Sequence, residues 1–146
     1  MTDNNRPTDI LAKEISMLER SREVTMEEEG WLSVAELTEL IGLNSAHPHT
    51  ELGEWIREWR VFLINHNGIN YFPAYGLNHE SGWRPREALK SILEIIADTK
   101  DGWGLAYWFR SNSSFLGGRR LQDVLAADPE LVIAAARDEM EGVPHG

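Results

Sequence analysis

The chain has 146 residues, 42% of them hydrophobic and 26% charged, and its 14 Lys and Arg against 24 Asp and Glu give a formal net charge of −10. This is the composition of a folded globular protein, and so acidic a balance disfavours tight binding to phosphate backbones. It contains no cysteine, which excludes a disulfide framework and a thiolate metal site.

No apolar run approaches the ~20 residues of a membrane-spanning helix, and the polar opening Met1 to Asp9 is no signal peptide. The expectation is a soluble, cytoplasmic protein without a membrane partner. Residues 8–24 then read as a helix capped by Thr8 or Asp9, with Ile10, Leu11, Ile15 and Leu18 at helical spacing. This leader is expected to pack on its own domain, with a dimer contact as the alternative. Its stripe is too short for a coiled coil.

Ser33-Val34-Ala35-Glu36 is a capping-box pattern, and the helix that it opens continues through Leu37, Leu40 and Ile41 to Gly42. A longer turn, Asn44 to His49, leads to a second helix over about residues 50–59, with Leu52, Trp55, Ile56 and Trp59 on one face. Two apolar runs, Phe62 to His66 and Ile69 to Pro73, flank Asn67-Gly68, a strong hairpin signal because both turn positions need positive φ. The next helix is expected over about 85–98, with Pro85 in its first turn and Leu89, Ile92, Leu93 and Ile96 in one stripe. Asp101 can cap a nearly all-apolar helix through Phe109, and Asp128-Pro129-Glu130 opens the last helix, with Leu131, Val132, Ala135 and Met140 facing inward. No internal repeat is visible in the sequence.

Between those last two helices lies Trp108-Phe109-Arg110-Ser111-Asn112-Ser113-Ser114-Phe115-Leu116-Gly117-Gly118-Arg119-Arg120-Leu121, running on to Val124 and Leu125. The two glycines suit a tight corner that lets Leu116, Leu121 and Leu125 reach one core. Arg119 and Arg120 are either a carboxylate- or phosphate-binding pair or a solvated basic turn. Residues 81–120 hold seven Lys and Arg against four Asp and Glu and are the only basic stretch of the chain.

This stretch resembles the C-terminal toxin-binding domain of the Xre, MbcA and ParS antitoxins. Shared features are an aromatic-ended helix, a polar link, a Leu-Gly-Gly-Arg turn, a short leucine-bearing helix and an acid-opened final helix. Helix, turn, helix and hairpin, followed by Tyr71-Phe72-Pro73-Ala74-Tyr75, resemble the winged helix-turn-helix that precedes this domain in a subset of such proteins. The resemblance implies a mainly α chain with one β-hairpin. Its parts would be a helical extension (1–30), a winged helix-turn-helix-like module (31–79) and a small helical bundle of the toxin-binding type (80–146).

The implied function is non-enzymatic: an antitoxin-like or transcription-regulator-like homodimer that binds a protein partner, such as a toxin, and operator DNA. The alternative is an interaction or dimerisation module without DNA binding. For a protein partner the candidate residues are Asn112, Phe115, Leu116, Gly117, Gly118, Arg119 and Arg120, with Phe115 and Leu116 read as exposed. For DNA they are Thr50, Arg57, Arg60, Asn67 and Asn70, opposed by Glu51, Glu54 and Glu58 on the same helix. Trp55, Trp59 and Trp83 are further candidate interface anchors.

No cofactor, metal or catalytic group is expected. His47 and His49 lack a third ligand at metal-binding spacing, and there is no phosphate loop, dinucleotide fingerprint or nucleophile elbow. His145 lies close to the end of the sequence.

Overall fold

A computed structural model describes residues 7–28 and 30–142. The expectations placed on Met1 to Arg6 and on His145, and the side-chain cap assigned to Thr8, lie outside the described residues. Asp9, the other expected cap, stands inside the first turn of helix α1 (Pro7–Glu27).

Strand β1 (Trp31–Ser33) leads into α2 (Val34–Gly42). The capping box forms in full, because the Glu36 amide donates to Ser33 Oγ at 3.1 Å and the Ser33 amide to Glu36 Oε1 at 3.0 Å. These bonds to Ser33 hold the Glu36 carboxyl below its ordinary pKa. Helix α3 (Pro48–Arg57) starts earlier than expected, because Pro48 takes its first turn, where a missing N–H costs nothing. Strands β2 (Ile64–His66) and β3 (Ile69–Pro73) form the expected hairpin, with Asn67 and Gly68 at φ 52° and 82°. The sheet order is β1-β3-β2, all antiparallel, with Trp31 opposite Pro73 and Asn65 opposite Asn70.

The second half contains α4 (Glu87–Ile96), α5 (Gly102–Arg110), the short α6 (Leu121–Val124) and α7 (Pro129–Glu141). Asp101 accepts from the Gly104 amide at 2.7 Å and Asp128 from the Leu131 amide at 3.3 Å, so both expected caps are present. The fold is mainly α with small antiparallel sheets, and no described helix is long and apolar enough to cross a membrane.

Buried side chains form two clusters. Leu37, Ile41, Leu52, Trp55, Val61, Phe72 and Leu77 fill the smaller one, under α2, α3 and the sheet. The larger joins Leu89, Ile92, Leu93 and Ile96 of α4 to α5, Leu116, α6, Leu125 and α7, and includes Phe62 and Ile64 from the first half. Phe62 stacks on Phe109, with ring centroids 5.7 Å apart and planes within 5°. A Cβ built on Gly102 would overlap the Leu63 carbonyl, so α5 starts directly against the chain entering β2.

Three expectations are corrected. The leader helix does not pack along its length: residues 9 to 20 are exposed throughout. It is held only towards its end, where Arg22 sits 4.9 Å from the centre of the Trp103 ring, Thr25 is buried and Met26 touches the larger core. Pro85 is not in a helix. It belongs to β5 (Arg84–Pro85), which pairs with β4 (Leu77–Asn78), and α4 begins two residues later. A ladder this short tolerates a residue without an N–H.

The third correction concerns α3, which ends before Trp59. The Arg60 amide donates to the Trp55 carbonyl at 2.9 Å and the Trp59 amide to that of Ile56 at 3.2 Å, a Schellman closure with Trp59 in its left-handed position at φ 58°. Glycine usually occupies that position, because a Cβ there costs roughly 1–2 kcal/mol. The two tryptophans of α3's apolar face therefore part company: Trp55 is core, 3% exposed, while Trp59 is 56% exposed.

The backbone also repeats a device that the side chains conceal. Strand β6 (Asn112–Ser113) pairs with β7 (Arg119–Arg120), as β4 does with β5. Each pair encloses a 3-10 turn and a left-handed glycine, Gly82 at φ 70° and ψ 31° and Gly117 at φ 68° and ψ 29°. A second left-handed residue follows, Trp83 or Gly118, whose amide donates to the carbonyl five residues back, Asn78 or Ser113. Both devices deliver the chain into a helix.

Candidate functional site

The Asn112 to Arg120 corner is closed from inside. The Gly118 amide donates to the Ser113 carbonyl at 2.7 Å, Asn112 Nδ2 donates to the Gly118 carbonyl at 2.7 Å, and Arg119 Nε donates to the Leu116 carbonyl at 3.0 Å. Leu116 is the plug that holds the corner on the bundle. At 2% exposure it is core with Leu121 and Leu125, as expected of the glycine corner, which corrects the reading that also placed it on the surface with Phe115. Phe115 stays outside, 44% exposed. A Cβ on Gly117 or Gly118 would meet nothing within 4 Å, so the backbone beside Phe115 stands open to an approaching surface.

The two arginines differ. Arg119 is exposed. Arg120 is committed inward, with its Nε 2.9 Å from Asp123 Oδ2 and its Nη1 3.3 Å from Glu28 Oε1. The Asp123 bond is the main reason that the Arg120 pKa is raised. Glu28 also takes Arg110 Nε at 2.7 Å, so one carboxylate at the end of the leader bridges two guanidinium groups of the bundle. These four side chains are each about a third to a half exposed, so each pair is worth about 1 kcal/mol at most. Arg110 and Glu28 were not candidates from the sequence. Partners 82 and 92 positions apart leave no local trace in it.

The candidate DNA residues fall in two places. Thr50 and Arg60 line one cavity of about 460 Å³ between α3 and β5, together with Arg84, Glu51 and Glu54. Arg57 is exposed on the last turn of α3. On the hairpin Asn67 is at the exposed turn, whereas Asn70 Oδ1 accepts from Asn65 Nδ2 at 2.8 Å across the strands. Asn70 is thus already used in holding the hairpin. Trp83 is half-buried, packed against His79 and the smaller core. His47 and His49 are exposed at the start of α3, and the described residues contain no group of three or more His, Cys, Asp or Glu placed to hold a metal ion.

The corner presents an aromatic ring and a cation on a hydrogen-bonded backbone, and α3 presents a mixed-charge face beside a polar hairpin. Comparison with known protein families, with curated proteins and with solved structures finds no match to this chain.

Proposed function

We propose that this chain is an antitoxin-like regulator whose second half binds a protein partner through the Asn112 to Arg120 corner. One observation carries the reading. Phe115 is held out of the core on a corner whose backbone is fixed by internal hydrogen bonds, and the same corner carries the open backbone of Gly117 and Gly118 and the exposed Arg119. Aromatic and arginine anchors on preorganised surfaces dominate binding energy. The family-like motif of this corner supports a toxin-like partner. The winged helix-turn-helix-like order of α2, α3 and hairpin supports operator DNA as a second ligand, and the exposed apolar leader supports a homodimer.

The direct probe is the pair Phe115→Ala and Arg119→Glu, with each single variant run beside it, because Arg119→Glu also gives up the Arg119 Nε bond to the Leu116 carbonyl. Arg120→Glu is a poor choice, because it would set a carboxylate against Glu28 and Asp123. Phe115→Ala is expected to lower stability by only about 1–2 kcal/mol, well short of a core deletion, and the double variant to lose 2 kcal/mol or more of partner affinity, about 30-fold. Tagged wild type and double variant, checked for equal circular dichroism, are passed over extract of the native host and the retained proteins compared. A partner held equally well by both places the binding surface elsewhere.

A further inference from the structure

The C-terminal ends of α3 and α4 meet around Trp59. Its ring walls a cavity of about 280 Å³ to which Leu93 and Ala97 give an apolar lining and Glu58, Glu94 and Asp98 give three carboxylates. No lysine or arginine lines it, and among the described residues none of the three carboxylates is in an ion pair. We propose that this cavity docks an arginine side chain of a protein partner, stacked on the Trp59 indole with its guanidinium among the carboxylates.

Two independent features of the fold converge on a cation. Glu58 caps the C-terminus of α3, Glu94 lies in the last turn of α4 and Asp98 just past it. Those are the negative ends of both helix dipoles, where a carboxylate is unfavourable and a cation favourable. The fold itself gains nothing from acids there. The same holds for Trp59, which fills the left-handed closure of α3 that glycine would take without strain, yet does not bury its ring in return. An exposed tryptophan lining the same cavity as unpaired carboxylates offers a cation both ring attraction and charge pairing. Arginine fits better than lysine, because its planar head stacks on the ring while its edge stays free to fork onto carboxylates, and it is less strongly hydrated. The surface shares no residue with the Asn112 to Arg120 corner, so it stands or falls by itself.

The test uses the full chain labelled with nitrogen-15, in which the Trp59 indole N–H signal is identified by its loss in Trp59→Gly. The probes are the blocked tripeptides Gly-Arg-Gly, Gly-Lys-Gly and Gly-citrulline-Gly. The arginine peptide should move the Trp59 signal saturably. Citrulline, of the same shape but uncharged, should bind about tenfold more weakly or worse, and lysine should fall between them. Glu94→Gln with Asp98→Asn should lower affinity for the arginine peptide by a similar factor, and Trp59→Gly should abolish binding while melting no lower than the wild type. No saturable shift, an equal response to citrulline, or tighter binding of lysine overturns the proposal. So does unfolding of Trp59→Gly, which would make the ring a structural element.

Discussion

Tyr75 shows how a single polar atom can sit in a core without helping it. Its ring lies among Trp31, Phe62 and Phe109, at centroid distances of 6.3, 6.4 and 5.2 Å, and its hydroxyl is buried with no hydrogen-bond partner among the described residues. Burial, and secondarily the charge of Glu28, raise its pKa well above the ordinary tyrosine value. An unsatisfied buried hydroxyl costs about 1–3 kcal/mol of desolvation, so Tyr75→Phe should be neutral or stabilising by about 1 kcal/mol at pH 7. The pH dependence has a fixed sign. The unfolded chain ionises this phenol near pH 10 while the folded chain keeps its proton, so the stability present below that pH falls as pH rises through it. The phenylalanine variant lacks that part of the alkaline loss. Urea unfolding at pH 7 and above pH 10 checks both; a clear loss of stability at pH 7 would show that the hydroxyl has a partner.

Elements were legible in the sequence where a local rule decides them. Ser33 with Glu36, Asn67-Gly68, Asp101 and Asp128-Pro129 each satisfy backbone groups within a few residues, and each stands where its pattern placed it. What escaped depends on pairing between segments, over long separations for β1 and for the Glu28 bridge. Strand β1 exists because Trp31 to Ser33 find Tyr71 to Pro73, β5 because Arg84 and Pro85 find Leu77 and Asn78, and the Glu28 bridge because the bundle brings two arginines to it. At the candidate site the sequence located the corner but left Leu116 between two readings, core with Leu121 and Leu125 or surface with Phe115, since Phe115 and Leu116 are adjacent and alike in character. The helix-level question is whether α3 reads DNA. Arg57 is exposed there, but Glu51 and Glu54 share a cavity with Thr50 and Arg60, and like charges would face phosphates. If α3 contacts bases, Arg57→Ala should weaken binding to the upstream region of its own gene by about 1–3 kcal/mol. Mobility shifts at low salt, where phosphate attraction is greatest, measure this. No shift there removes DNA from the proposed function and leaves a protein-interaction module.

At the scale of the whole molecule the leader is what the rest of the fold does not explain. A helix of 21 residues spans about 31 Å, yet α1 is anchored only from Ser21 onward, through Arg22, Thr25, Met26 and the Glu28 bridge. Ahead of that anchor Ile10, Leu11, Ile15, Met17 and Leu18 each leave about half or more of their surface in water. Completing the burial of one such side chain is worth on the order of 1 kcal/mol, and two-fold pairing is the commonest way for identical chains to cover such a stripe. A second copy packed on α1 is therefore the expected dimer. Light scattering at micromolar concentration should give twice the chain mass for the wild type and the single mass for Ile15→Glu with Leu18→Glu. Because neither side chain touches a core, the double variant should keep the melting temperature of the dissociated wild type. A wild type that stays monomeric, or a variant that still dimerises, would show that α1 is not the contact between copies.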